Sequence, residues 1–341
     1  MKLNDRYTDK YAAYEAQFDP LQTDRQARRK RKPRAQHAPK KAQAQAAAVA
    51  EIAQPAGLEG GFVTTYTPSI FEAGWLLESL RDFFTQGYIS DILAQVRGGK
   101  EASVYRCAGT AAAGAALVAA KVYRPRRFRQ LRNDKRYREG RQVLDADGHI
   151  VKNNDHRTMR ALGKKTAFGQ QVAHTSWLMF EFTTMRQLYQ AGAAVPRPIA
   201  AAANAILMGY CGDAETAAPM LNDVQLEPGA ARRLFDVTVH NIELLLAHGV
   251  VHGDLSAYNI LYWDGDITLI DFPQVVDVHG NRQARAILER DVRRVCEYFA
   301  AQGVERRPEG LTAYLWNRHV APRERDDLAD MSRLTEADPE R

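Results

Sequence analysis

The spacing of apolar and polar positions along this 341-residue chain changes period several times, and each change marks an element. The sharpest signal is the run ILYWDGDITLI (260–270), two short apolar stretches on either side of Asp264-Gly265. A two-residue primed turn needs positive φ, which glycine adopts freely, so this run predicts a β-hairpin. Counting outward from the turn pairs Trp263 with Asp266, Leu261 with Thr268 and Asn259 with Ile270. Upstream, residues 96–105 read as strand, glycine-containing turn and returning strand, and 117–123 as an apolar strand holding one lysine, Lys121. Residues 176–189 carry apolar positions at helical spacing, with Ser176 as N-cap, Gly192 as C-terminal stop and Pro196 and Pro198 preventing continuation. A strand over 205–210 runs into a loop. A second helix over about 231–248, stopped by Gly249, delivers the chain to His252, and a further helix begins near Ala284.

The hairpin carries chemistry as well as structure. It returns Asp271 to within a residue of Asn259, although twelve positions separate them in the chain. Two oxygen donors at one hairpin mouth suit Mg²⁺, which takes few protein oxygens and fills its octahedron with phosphates and water. Asp254, on the preceding loop His252-Gly253-Asp254-Leu255-Ser256-Ala257-Tyr258-Asn259, can accept the proton of an attacking hydroxyl. Asp254, Asn259 and Asp271 thus have the order and offsets of a phosphoryl-transfer site. Lys121 inside an apolar strand points out of the core or meets an anion. Glu181 lies on or beside the apolar face of the 176–189 helix and calls for a cationic partner, which Lys121 would supply.

Taken in order, these segments resemble the RIO family of atypical serine/threonine protein kinases over about residues 66–300. GKEASVY (99–105) is similar to the family's nucleotide loop, and SWLMFEF with LYQAGAAVPRPI (176–199) to its helix C and exit. MGYCGDAETAAPMLNDV (208–224) resembles its hinge, HGDLSAYNILY with IDFPQVVD (252–277) its catalytic and metal loops, and ARAILERDVRRVCEYF (284–299) its closing helix. WLLESLRDFFTQGYISDI (75–92) resembles its helical lead-in. The resemblance implies an α+β, bilobal protein-kinase-like fold, with an antiparallel sheet and helix C in the N-lobe and a reduced, mostly helical C-lobe. It also implies ATP and Mg²⁺ as cofactors, with nucleotide contacts at Gly99, Lys100, Glu101, Ala102, Ser103, Val104, Lys121, Met208 and Tyr210. Glu181 would orient Lys121. Asp254 and Asp271 would be catalytic, Asn259 and Asp271 would hold the metal, and Asp271 would be transiently phosphorylated in an ATPase cycle. Gly209 stands where ordinary kinases often carry a hinge acid.

The same frame divides the chain into a basic, Ala/Gln-rich disordered tail (1–62), a helical lead-in (63–93), an N-lobe (94–207) with a basic insertion over about 124–172, a reduced C-lobe (208–303) and a polar C-terminal tail (304–341). Phe272-Pro273-Gln274 replaces the D-F-G glycine, and the next helix starts too soon for an activation segment ending in A-P-E. A generic peptide groove is therefore not expected, and no protein substrate is identified.

Charge adds partners to this picture. The net charge of +6 is uneven: residues 1–50 hold 12 Lys/Arg against 5 Asp/Glu, and residues 121–171 hold 15 against 5. The blocks 25–41 and 124–141 read either as solvated segments or as arms for RNA or a ribosomal particle, since clustered cations gain affinity by releasing counterions from phosphates. The insertion between Lys121 and Glu181 is tolerable, because each doubling of loop length costs only about 0.6 kcal/mol. No apolar run approaches the roughly 20 residues that span a bilayer. The N-terminus lacks a secretory apolar region, and Asp5, Asp9, Glu15 and Asp19 argue against a mitochondrial presequence. With three cysteines at no metal spacing, a cytoplasmic protein is expected. Three functions follow: an autophosphorylating Ser/Thr kinase, a nucleotide-gated ATPase assembly factor, or a small-molecule phosphotransferase. GKEASVY and the Ser-x-Tyr-Asn spacing argue against the third.

Overall fold

The computed structural model describes residues 64–99, 101–124, 139, 141–152, 154–164 and 166–321. Lys100, the 25–41 block, the 1–62 tail and nearly all of 124–141 lie outside the described residues. The remainder forms two compact units, one from residues within 1–130 and 202–210, the other from residues within 131–201 and 211–341.

In the first unit, helix α1 (Ile70–Thr85) precedes strands β1 (Ile89–Gly98), β2 (Ala102–Gly109) and β3 (Leu117–Tyr123). Strand β5 (Ala205–Gly209) belongs to the same unit, whereas the edge strand β4 (Pro198–Ala202) falls in the second unit except for Ala202; the five-stranded sheet has the order β1-β2-β3-β5-β4. The pairs β1–β2, β2–β3 and β3–β5 are antiparallel. Period-two alternation sends Tyr105, Cys107, Val118, Ala120 and Val122 to one sheet face, all fully buried, as are Leu76 and Leu80 of α1. Glu72 fastens α1 to the sheet. Its carboxylate accepts the Tyr66 hydroxyl at 3.0 Å and also the Tyr105 hydroxyl. Burial and the Glu72 charge push the Tyr66 phenol up to about 12. The lead-in is shorter than the helical segment expected through residue 92. Gly87, at φ 71°, follows the helix end, and the chain enters β1 at Ile89.

In the second unit, α2 (His156–Lys164) and α3 (Ala167–Gln190) form a helical hairpin. Helix α3 starts nine residues before the expected N-cap. Thr166 is the N-cap, accepting the Gly169 N–H at 3.1 Å, whereas the mid-helix Ser176 hydroxyl accepts the Leu144 N–H. A Cβ at Gly169 would lie 2.0 Å from the Ala161 carbonyl, so the two helices approach closely only because that residue is glycine. Helix α4 (Pro228–Ala247) leads into β6 (Val250–Val251), the hairpin β7 (Ile260–Trp263) and β8 (Asp266–Leu269), then β9 (Val276–Asp277) paired with β6. Helix α5 (Ala284–Ala301) buries Ile287, Leu288, Asp291, Val292, Arg294, Val295 and Phe299. The segment expected as a polar tail contains a further helix, α6 (Pro308–His319), anchored by buried Leu315 and Trp316. Of its two aromatics Trp316 is buried, whereas Tyr314 is exposed.

Candidate active site

The hairpin forms with the counted register. Trp263 pairs with Asp266 and Leu261 with Thr268, and Ile270 N–H donates to Asn259 O at 2.9 Å. Asp264 and Gly265 take φ 49° and 83°, the double positive φ a primed turn requires. Residues 251–260 before it are buried without a break, and the peptide groups there are satisfied by specific side chains. His252 Nδ1 accepts the Asp254 N–H at 3.3 Å, which leaves Nε2 to donate to the Ile270 carbonyl at 3.2 Å, while its ring packs 5.0 Å from Phe272. Gly253 sits at φ 85° with its N–H on Asp291 Oδ2 at 2.8 Å, and Arg290 donates to its carbonyl. A Cβ at position 253 would fall 2.0 Å from the Gln274 carbonyl oxygen. Only glycine supplies both the φ and the closeness to the loop after Asp271.

Asp254 is 5% exposed, and both its carboxylate oxygens have donors. Oδ1 receives Arg294 Nη1 at 2.7 Å, and Oδ2 receives Asn259 Nδ2 at 3.1 Å. The same Nδ2 donates to the Asp254 main-chain oxygen at 2.8 Å, so the amide nitrogen of Asn259 is committed to Asp254 and the amide oxygen is its remaining donor atom toward a cation. Asp271, at φ 74°, is the chain's other non-glycine residue in the left-handed region besides Asp264 among the described residues. Such conformations concentrate at functional sites. One carboxylate and one carboxamide oxygen are hard donors, and the pair fits Mg²⁺ rather than a soft transition metal. The loop beyond is held by Arg141, which donates to Pro273 O at 2.6 Å and to Val275 O, and lies 4.4 Å over the Phe180 ring. The acidic group Asp145, Asp147 and His149 is separate and exposed, and Asp145 Oδ1 there accepts the Asp147 and His149 N–H groups, closing a turn.

The first unit gathers its own candidates. Register places Val104, Lys121 and Ile206 side by side, and Arg106, Ala119 and Met208 in the adjacent rung of the same sheet face. Lys121 is buried, with Nζ 5.4 Å from the Tyr123 ring centroid. Tyr210 follows β5 with Arg106 at 6.0 Å from its ring. Ala102 shares the Lys121 face, whereas Ser103 is buried on the opposite one with Val122. The β1–β2 turn is closed by Gly99 N–H on Ala102 O at 2.9 Å, and a Cβ at Gly99 would approach that oxygen to 2.8 Å. The Glu101 carbonyl accepts the Arg124 N–H. Glu181 is buried in the middle of α3, in the second unit.

Sequence reasoning missed Arg294, Asp291 and Arg141. For the first two a signal existed: charged residues falling on the apolar face of α5 require buried partners. Arg141 lies in a basic run that gives no reason to single it out.

A family model for the RIO domain matches residues 103–310. The RIO-type serine/threonine-protein kinase Rio1 of Haloferax volcanii is 32% identical over 232 residues, covering 67% of this chain and 70% of that protein. The protein of the same name from Thermoplasma acidophilum is 32% identical over 139 residues, 41% of this chain and 72% of that one. The serine/threonine-protein kinase RIO1 of Chaetomium thermophilum is 30% identical over 235 residues, 66% and 42%. The α+β fold, the buried Asp254–Asn259 cluster and these matches together make the chain a member of the RIO family of atypical serine/threonine protein kinases.

Proposed function

We propose that this chain transfers the γ-phosphate of ATP to serine or threonine hydroxyls, its own included, with Asp254 as the group that accepts or orients the hydroxyl proton. The observation that carries this reading is the buried carboxylate of Asp254, held at both oxygens beside a hairpin that returns Asp271 to Asn259. Asn259 and Asp271 would hold Mg²⁺, which when bound supplies positive charge against the phosphates. In the sheet unit, Lys121 would contact phosphate and the peptide groups of 99–104 would cover it, while the backbone at Met208 and Tyr210 would receive adenine. Glu181 keeps the orienting role the resemblance implies. Preorganised donors and acceptors supply most of the catalysis in phosphoryl transfer, since the protein makes no covalent bond there. Transient phosphorylation of Asp271 would belong instead to an ATPase cycle, where the aspartate takes the phosphoryl group covalently.

A second reading, an ATPase that gates assembly on RNA or a ribosomal particle through 25–41 and 124–141, is favoured by one feature. Residues 272–283 alone separate Asp271 from α5, and β9 within them pairs with β6, leaving no activation segment. No helix among the described residues is long and apolar enough to cross a membrane. Incubation with γ-labelled ATP and Mg²⁺, following protein-bound and free phosphate separately, tests the choice. Acid-stable label on Ser or Thr supports the kinase. Free phosphate without stable label, stimulated by ribosomal particles, supports the ATPase and overturns the kinase reading.

A further inference from the structure

We infer that Arg294 of α5 is a positioning residue for Asp254, setting the orientation of the carboxylate on which phosphoryl transfer depends; this rests on the reading of Asp254 given above. The guanidinium lies 2.7 Å from Asp254 Oδ1, and the pair is among the most enclosed in the molecule, with side chains 3% and 7% exposed. An ion pair so enclosed is a weak source of stability, because desolvation offsets most of the attraction. Its geometric consequence is stronger. A carboxylate rotates about its last torsion unless both oxygens are held, since that torsion is broad and roughly two-fold. Here Asn259 holds Oδ2 and Arg294 holds Oδ1, so the plane of the carboxylate is fixed from two sides.

Arg294 is itself fixed by where its helix sits. It lies one turn after Arg290 and Asp291, which bind the carbonyl and the N–H of Gly253. Three successive charged positions of one helix face therefore grip two successive residues of the catalytic loop. Arg290 and Asp291 set the Gly253 backbone, and Arg294 sets the side chain that follows. Lysine cannot replace this fully, because a single flexible ammonium lacks the planar, pre-set donors of the guanidinium.

The test compares the full-length chain with its Arg294→Lys, Arg294→Met, Asp254→Asn and Asp254→Asn/Arg294→Met variants. Melting point, kcat and KM for ATP are measured well below each melting point. A positioning role predicts kcat about 10–100-fold lower in Arg294→Met and roughly threefold or more lower in Arg294→Lys, with KM for ATP within twofold, since misplacement of a reacting group falls on the chemical step. In the Asp254→Asn background, Arg294→Met should change residual kcat by less than about twofold, as expected of two groups acting as one unit. A merely structural arginine would shift the melting point and leave kcat per folded molecule unchanged. Wild-type kcat in Arg294→Lys together with wild-type kcat in any folded Arg294→Met overturns the inference, as does full additivity in the double variant. If Arg294→Met does not fold, wild-type kcat in Arg294→Lys alone overturns it. Undiminished kcat in Asp254→Asn would instead sink the role of Asp254 itself, a separate outcome.

Discussion

Replacing Gly253 by alanine perturbs the candidate site through one methyl group. Gly253 has φ 85°, where an L-residue costs about 1–2 kcal/mol more than glycine. The added Cβ would stand 2.0 Å from the Gln274 carbonyl oxygen, a backbone atom that cannot swing aside. The loop after Asp271 must therefore retreat by roughly 1 Å or more to reach ordinary contact distance. That retreat strains the Gly253 N–H bond to Asp291, and a hydrogen bond to a charged group contributes about 1.5–3 kcal/mol. The sum is about 2.5–5 kcal/mol, which for a folded core of this size lowers the melting point by roughly 5–20 °C. Displacing the Asp271 loop by about 1 Å relative to Asp254 should lower kcat about 100-fold at temperatures where the variant remains folded. Differential scanning fluorimetry and ATP turnover on the same preparation measure both effects. A Gly253→Ala protein with wild-type melting point and turnover would refute the claim that the two loops are in contact through this glycine.

Further outcomes follow from other parts of the molecule. Gly99→Val should raise KM for ATP severalfold with little change in melting point, because its Cβ meets the Ala102 carbonyl at 2.8 Å in a turn that carries no core; steady-state kinetics at varied ATP decides it. Trp316→Ala should cost about 3–5 kcal/mol in a thermal or urea melt, since the ring is buried in α6; no change would mean that the segment from 304 onward contributes nothing to the fold. Burial pushes the Cys107 thiol up to about 12 and the Cys296 thiol up to about 11, whereas Cys211 is only half-buried beside Thr268. Alkylation at pH 8 followed by mass spectrometry should therefore label Cys211 first. With folded values above the unfolded value near 9, the two buried thiols leave stability intact below pH 9 and withdraw it as pH rises toward 11–12. A Cys296→Val protein should accordingly lose less melting temperature over that alkaline range than the wild type.

The β7–β8 hairpin is legible because Asp264-Gly265 carries its own backbone geometry and period-two pairing then fixes every partner out to Asn259 and Ile270. Lys121 and the α4 stop at Gly249 are legible for similarly local reasons: one charge in an apolar strand, and one glycine at φ 75°. The start of α3 is not. Ser176 has the chemistry of an N-cap, but its hydroxyl serves Leu144, and the true first turns are stabilised by the close packing of Gly169 on α2. Tertiary contact overrides local preference there. The 75–92 lead-in carried a stop at Gly87 that its resemblance to a helical segment obscured. Of the site, the loop and hairpin donors are written in spacing, whereas Arg294 reaches Asp254 from forty positions downstream, a juxtaposition only the packing of α5 creates.

The most direct test is the single-turnover rate of phosphoryl transfer by Asp254→Asn, on protein shown by circular dichroism to be folded, since Arg294 then loses the negative charge of its buried partner. That rate should fall about 10²–10⁴-fold below wild type, the usual contribution of a positioned acid or base. Transfer at the wild-type rate from the folded variant would contradict the role given to Asp254.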